Sequence, residues 1–300
     1  MMRSGGALGM VMGVGLFTAA CGQAPQLEGE IAGPGLEATW DKPGTQDPNG
    51  TPKSAWHAWK GPLVEALLRP LFPGYDPLDP ESQPELNPEI LAMGFLDDPG
   101  GQEVFDHAFR CAVEEGFSST HGGHEYKGRG VVAGASSWAH GGLPMNVITN
   151  VLECVIAFVN DKTDGVSVLL TGPEVNDDPE EHHGFIYGEA VWCANVVPVT
   201  SSSTGAVTVT YDVGVDVYVT EAFARGCGLD PAAALAQRYC YEQGSCGLDY
   251  KGFLKDYPTE CVVDGDPKYG RYTCNGKPCT MTWLTDPKPP WCERPRRLTP

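Results

Sequence analysis

The clearest pattern in the chain is an alternation of apolar and polar residues between positions 207 and 219. A repeat of two residues is typical of a β-strand that packs one face against a core and exposes the other face to water. The polar series contains two threonines and two aspartates, so we predict that this face is solvated. The apolar series comprises Val207, Val209, Tyr211, Val213, Val215, Val217 and Val219.

Two further strands are predicted before this one, over residues 165–171 and 184–199. The stretch 201–205, which is rich in serine, is interpreted as a loop or the turn of a hairpin. The sheet is therefore predicted to be antiparallel.

Two segments repeat apolar residues at the spacing of an amphipathic helix. The first covers residues 104–113, and Gly116 stands where a helix C-cap is expected. The second has Pro144 near its first turn and ends at Asn160. We expect both helices to bury an apolar face.

These elements predict an α+β fold in which two packed helices lie against an antiparallel sheet. Cys111 and Cys154 lie near the middle or the end of the two helices, so a disulfide bond between them would bridge the helices if they pack together. After a short helix over residues 231–236, the chain becomes dense in cysteine and poor in apolar residues. We therefore predict a core domain over residues 56–222 and a disulfide-stapled C-terminal module over residues 223–300.

The chain has 11 cysteines and a formal net charge of -19. Such a charge repels phosphates and anionic membrane surfaces, so nucleic acid is excluded as an electrostatic partner. Ten cysteines remain when Cys21 is set aside, an even number that suits a disulfide framework in an exported protein, with the pairing left open. The ten are Cys111, Cys154, Cys193, Cys227, Cys240, Cys246, Cys261, Cys274, Cys279 and Cys292.

Residues 1–20 have the features of a secretory signal, with Arg3 ahead of an apolar stretch and small residues at its end. The stretch is too short and too rich in glycine to span a bilayer as a permanent helix. Its last residues run directly into Cys21 and resemble a bacterial lipobox, although Thr18 stands where leucine is usual. We predict a lipoprotein signal peptide and a lipid anchor on Cys21. The alternative is an ordinary secretory signal, with Cys21 a spare or paired thiol.

Residues 21–55 consist mainly of proline, glycine, polar and acidic residues and show almost no apolar periodicity. Such a stretch buries too little surface to offset the entropy of ordering it, so we interpret it as a flexible tether. Proline remains frequent up to Pro99, and one short helix over residues 63–68 is predicted to interrupt this extended region.

Four histidines are the candidate metal ligands. His121 and His124 flank a Gly-Gly pair, and His182 and His183 follow a run of acidic residues. Brought together, these imidazole and carboxylate groups would form a divalent metal site, and an exported metal-dependent hydrolase would be the corresponding function. The favoured interpretation is that both loops are simply solvated, so no cofactor is predicted and the metal site is the alternative.

Catalytic motifs are mostly missing, since the sequence has no Gly-x-Ser-x-Gly elbow, no His-Glu-x-x-His and no phosphate-binding Gly-rich loop. A thiol redox protein centred on Cys246, or on Cys274 and Cys279, is a further alternative. Glu189 is a candidate buried carboxylate if it lies on the inner face of its strand. One carboxylate does not define a reaction, so the sequence favours a protein without catalysis.

Several stretches in a fixed order carry a resemblance to a known group of proteins. An Arg-Cys-Ala helix around Cys111 is followed by a glycine-containing turn with Trp138, a helix with a central Cys154, and a strand that ends at Gly172. In this order the elements resemble uncharacterised, Cys-rich exported lipoproteins of the myxobacterial type. A Tyr-Gly element and the Cys-rich tail extend the resemblance over roughly residues 98–284, although glutamate follows Tyr-Gly where the group usually has asparagine. The resemblance implies compartment and architecture only.

We therefore predict a lipid-anchored protein of the bacterial outer membrane or cell surface. The outer membrane is preferred because Gly22 is not the acidic residue that retains products at the inner membrane in the enterobacterial lipoproteins that this signal resembles. The predicted role is a non-catalytic binding or structural module. Its expected partners are the membrane, through the anchor, and an envelope protein or a glycan.

Overall fold

The computed structural model describes residues 53–76, 78–79, 81–159, 168–176, 182–203, 206–227, 239, 248–266 and 268–285. The signal peptide, the lipidation site and most of the tether lie outside these residues. So do the helix predicted over residues 231–236 and, among the cysteines, Cys240, Cys246 and Cys292.

Three helices pack against one another, where the sequence predicted two. They are α1 (Lys53–Leu67), α3 (Pro99–Ala112) and α4 (Met145–Ala157), with a single-turn α2 (Pro88–Leu91) before α3 and a short α5 (Glu221–Cys227) later in the chain. The Asp98 side chain caps α3 by accepting a hydrogen bond from the Gly101 N–H at 2.9 Å.

Helix α1 is the main departure from the predicted helices. The tether was predicted to reach residue 55 and the helix to cover only residues 63–68, but α1 begins at Lys53 and continues through Pro62. A Cβ on Gly61 would lie 2.6 Å from the carbonyl oxygen of Tyr211, so close packing on a strand explains the glycine that hid the helical pattern.

Two sheets are present in the described residues. The first is a hairpin of β1 (Ser118–His121) and β2 (His124–Lys127). The second has seven strands in the order β6-β5-β4-β9-β8-β7, with β3 also paired to β9. It is mixed rather than purely antiparallel, because β5 and β6 run parallel. Its strands are β3 (Val168–Thr171), β4 (Tyr187–Ser203), β5 (Ala206–Val219), β6 (Leu248–Phe253), β7 (Cys261–Asp264), β8 (Arg271–Cys274) and β9 (Lys277–Leu284).

The alternating strand predicted from the sequence is β5. Its valines from Val213 to Val219 are buried against the helices as predicted, but Val207 is 68% exposed because the β4–β5 hairpin extends beyond the helical layer. On the other face Asp212 is exposed as predicted, whereas Tyr218 is buried, since the Tyr257 ring lies 5.2 Å from it in an edge contact.

The Cys-rich C-terminal region shares the sheet of the core. Strand β9 pairs with β4 on one side and with β3 and β8 on the other side. Its residues Met281, Trp283 and Leu284 are buried. Residues on both sides of the boundary predicted at residue 223 therefore contribute strands to one sheet. Within β9, Met281 and Trp283 alternate with threonines, an apolar pattern among the cysteines of this region.

Three disulfide bonds join the described residues. Cys111–Cys154 links α3 to α4 as the sequence suggested, Cys193–Cys279 links β4 to β9, and Cys261–Cys274 links β7 to β8. These bonds indicate an oxidising, extracytoplasmic compartment. In the part of the chain that the structure describes, no helix has the length and apolarity needed to cross a bilayer.

Candidate functional site

The first pair of candidate metal ligands flanks a tight hairpin turn. Gly122 and Gly123 both have positive φ, 59° and 83°, as the two central residues of a type I′ turn require. His121 and His124 are the paired residues at either end of this turn. His124 Nε2 lies 3.8 Å from Asp106 Oδ1 on α3, so that imidazole faces a carboxylate of the helical layer.

The second pair lies against another part of the sheet. The His182 ring lies 3.9 Å from the ring of Tyr269, and His183 is exposed. Of the acidic residues predicted to complete the site, Glu174 is exposed, and those in the range 177–181 lie outside the described residues. Over the described ranges, none of the four histidines belongs to a group of three side chains close enough to share a metal ion.

One group of three metal-ligating residue types does come together, and it consists of cysteines. The sulfurs of Cys193, Cys274 and Cys279 all lie within 4.8 Å of one another and are buried. Each of these sulfurs is already in a disulfide bond, whereas metal binding and nucleophilic attack need a thiolate. The predicted redox pair of Cys274 and Cys279 is therefore divided between two neighbouring bridges.

An open groove of about 590 Å³ runs along β1. One wall is β1 itself, and the other is the extended segment that leads into α2, including Pro84, Glu85 and Leu86. The volume is within the usual range for a ligand site, and the lining mixes apolar side chains with hydroxyl, amide and charged groups.

Hydrogen bonds fix the wall opposite β1. The Asn87 side chain accepts from the Glu89 N–H at 2.9 Å and donates to the Pro70 carbonyl at 2.8 Å, which anchors the start of α2. The two walls are joined directly where the Ser119 hydroxyl donates to the Pro84 carbonyl at 3.3 Å. Both walls are therefore tied to the core.

The edge of β1 that points away from β2 has no strand beside it among the described residues. In an antiparallel pair, residues alternate between those that bond to the partner and those whose N–H and C=O point outward. His121 closes the turn and Phe117 accepts from the Gly128 N–H at 2.8 Å, so both belong to the bonded set. The N–H and C=O groups of Ser118 and Thr120 therefore point outward.

The groove also has a charged rim. Residues 79–89 contain four carboxylates and no lysine or arginine. Glu85 and Glu81 are exposed, and Glu89 pairs with Arg69 at 2.9 Å. With the net charge of -19, this rim favours cationic groups over anionic ones.

Buried carboxylates form a second polar feature, between α4 and the sheet. Glu153 is 2% exposed, and its oxygens accept from the Ala194 N–H at 2.8 Å and lie 3.0 Å from the Thr280 hydroxyl. Burial raises the pKa of Glu153 to about 8, although these hydrogen bonds and Lys277 act in the opposite direction. Burial therefore favours the protonated form of Glu153 in the folded protein.

Glu189 lies on the inner strand face and is fully buried, as the sequence suggested. It is the extra residue of a β-bulge between β4 and β9, and Thr282 Oγ1 lies 2.8 Å from its Oε2. The Trp192 Nε1–H donates to the same threonine at 3.1 Å. The carboxyl groups of Glu153 and Glu189 thus each contact a threonine hydroxyl of β9. Both carboxyl groups are buried in the interior, where a substrate has no access.

Sequence reasoning missed the groove and Glu153. The groove was hidden because residues 81–88 have the proline content of the extended region, and only their contacts with β1 reveal a wall. For Glu153 a partial signal was available, because the other residues of the stretch 151–157 are all apolar, although Thr149 and Asn150 lie one turn before it on α4.

Three comparisons, with protein-family models, with curated proteins and with solved structures, found no match to this chain.

Proposed function

We propose that this protein is a lipid-anchored, non-catalytic binding protein of the bacterial envelope, and that its ligand site is the groove along β1. The observation that carries the proposal is the combination of an open groove of about 590 Å³ with an outward-pointing strand edge as one wall. Exposed edges are normally covered or blunted because they attract other chains, so an edge kept open beside a groove favours a binding role.

In the described residues, no set of acidic or histidine side chains comes together in the groove, which favours a binding role over hydrolysis. The acids of the groove rim are exposed, and Glu153 and Glu189 are enclosed in the core. A metal-dependent hydrolase built on the four histidines stays a prediction that no distance in the described residues favours.

Support for the anchor comes from the lipobox-like end of the signal and from the resemblance to exported lipoproteins. The three disulfides support export alone. Thirty-one residues lie between Cys21 and Lys53, the first residue of α1, which corresponds to at most about 110 Å of chain. That length allows an anchored domain to reach partners well beyond the headgroups.

Changing Cys21 to serine tests the anchor. We expect the wild-type protein to partition into the detergent phase of a Triton X-114 extract and to carry a lipid-sized mass increment. The Cys21→Ser protein should lack both, because the acceptor sulfur is gone. Intact mass spectrometry is the measurement, and a serine variant that partitions like the wild type would contradict the anchor.

Site-specific photo-cross-linking in intact cells tests the groove. A benzophenone amino acid at Gln83, an exposed groove residue, is expected to form adducts at least fivefold more strongly than one at Thr210, an exposed residue on β5. A Ser118→Trp change, which fills the groove, should abolish the Gln83 adduct. Equal labelling at the two positions, or labelling insensitive to the tryptophan, would contradict the groove as ligand site.

A further inference from the structure

The open edge of β1 defines the chemistry of its ligand. Ser118 and Thr120 together present two N–H donors and two C=O acceptors, in the alternating order of a strand edge. A polypeptide in extended conformation offers the complementary donors and acceptors at the same repeat. A glycan or a small apolar molecule does not.

We propose that the ligand is an extended, basic polypeptide segment that adds to β1 as a third strand of the hairpin. This inference rests on the proposed function and specifies the partner of the same groove. Strand addition is an established mode of peptide recognition in which main-chain hydrogen bonds supply affinity and neighbouring side chains supply specificity.

The two walls of the groove differ in what they offer to an incoming strand. Pro84 and Pro88 on the far wall have no N–H to offer, so a bound segment would pair with β1 and pack against these rings. Ser119 and Tyr126 are buried, and the Tyr126 ring makes an edge contact with Phe105 at 5.1 Å, which holds the hairpin against α3. Because the hairpin is already ordered, binding of a strand does not carry the entropic cost of ordering β1.

The acidic rim selects basic side chains on the incoming strand. In an extended segment, alternate side chains point to the same side, so lysines at every second position can face the carboxylates of residues 79–85 together. Glu85 lines the groove directly and is exposed. Association should therefore weaken as ionic strength rises.

Proline at position 120 tests strand addition. Thr120→Pro removes the outward N–H of β1 without touching a bond to β2, and proline is tolerated on edge strands. The matched control is Glu125→Pro, because Glu125 is paired with Thr120 and its N–H points out from the opposite edge of the hairpin. Thermal unfolding of both variants establishes that the hairpin remains folded.

The probe is a fluorescein-labelled octapeptide of alternating lysine and valine, titrated with the full mature protein and followed by fluorescence anisotropy at 50 mM salt. We expect Thr120→Pro to weaken binding at least tenfold and Glu125→Pro to leave it within twofold. The same peptide with N-methyl groups on alternate residues should bind at least tenfold more weakly, and so should a glutamate–valine octapeptide. Glu85→Gln should weaken binding two- to threefold.

The outcomes separate this inference from the function on which it rests. Equal binding by the Thr120→Pro and Glu125→Pro proteins, or tight binding of the N-methylated peptide, would overturn strand addition. If the octapeptide fails to bind while cross-linking at Gln83 remains specific, the groove stands as a ligand site but its ligand is not a basic strand. If both experiments fail, the groove has neither role.

Discussion

Replacing both Cys111 and Cys154 by alanine is expected to lower the free energy of unfolding by roughly 4 kcal/mol. The bond closes a loop with a sequence separation of 43 residues and joins α3 to α4 within the core, where both cysteines are fully buried. Without it, the unfolded chain regains the entropy of that loop, and two small cavities open between the helices. Urea unfolding followed by circular dichroism measures the change.

The single variant Cys111→Ala provides the control for this bridge. It should lose nearly as much stability as the double variant, because the bond is absent in both. It should also leave Cys154 as one extra thiol that takes up an alkylating reagent in the unfolded protein without prior reduction. A double variant within about 1 kcal/mol of the wild type would show that the helix interface does not depend on the bond.

The buried Glu153 is expected to make the protein less stable as pH rises from about 5 to 8. Its carboxyl group has an ordinary pKa of 4.5 when unfolded and about 8 when folded. Within this window the folded state retains a proton that the unfolded state has released, so stability is greatest at the acidic end and falls through the folded pKa. The loss from this one group is on the order of 4 kcal/mol.

Glu153→Gln removes this dependence, because glutamine is neutral at every pH and can still accept from the Ala194 N–H. Urea midpoints at pH 5, 6.5 and 8 should show the variant gaining stability over the wild type progressively with pH. The matched control is Glu114→Gln, a change at an exposed carboxylate, which should leave the wild-type slope intact. Parallel pH profiles for the wild type and Glu153→Gln would contradict a protonated Glu153.

Sequence periodicity was informative wherever one face of an element meets the core. It predicted α3, α4 and the buried part of β5, and it placed Cys111 and Cys154 on two helices that a bond does join. It was least informative where residues serve a contact distant in sequence. Gly61 and Pro62 in α1 break a helical pattern, and only packing against β5 accounts for the glycine.

The candidate site was harder to predict for the same reason. Single residues of suitable chemistry, such as His121 and His182, were easily found, but no pattern along the chain indicates which loops meet. The groove depends on backbone direction at Ser118 and Thr120, which carries no side-chain signature. Its other wall begins in a proline-rich stretch whose composition alone suggests an extended segment.

The position of β9 has a consequence for the order in which the sheet can form. This strand lies in the interior of the seven-stranded sheet, yet it is the last strand along the chain in the described residues. Strands β4 and β5 can pair as a hairpin without it, but the second edge of β4 stays unpaired until β9 is in place. Truncation before Lys277 would therefore remove the centre of the sheet rather than trim its margin.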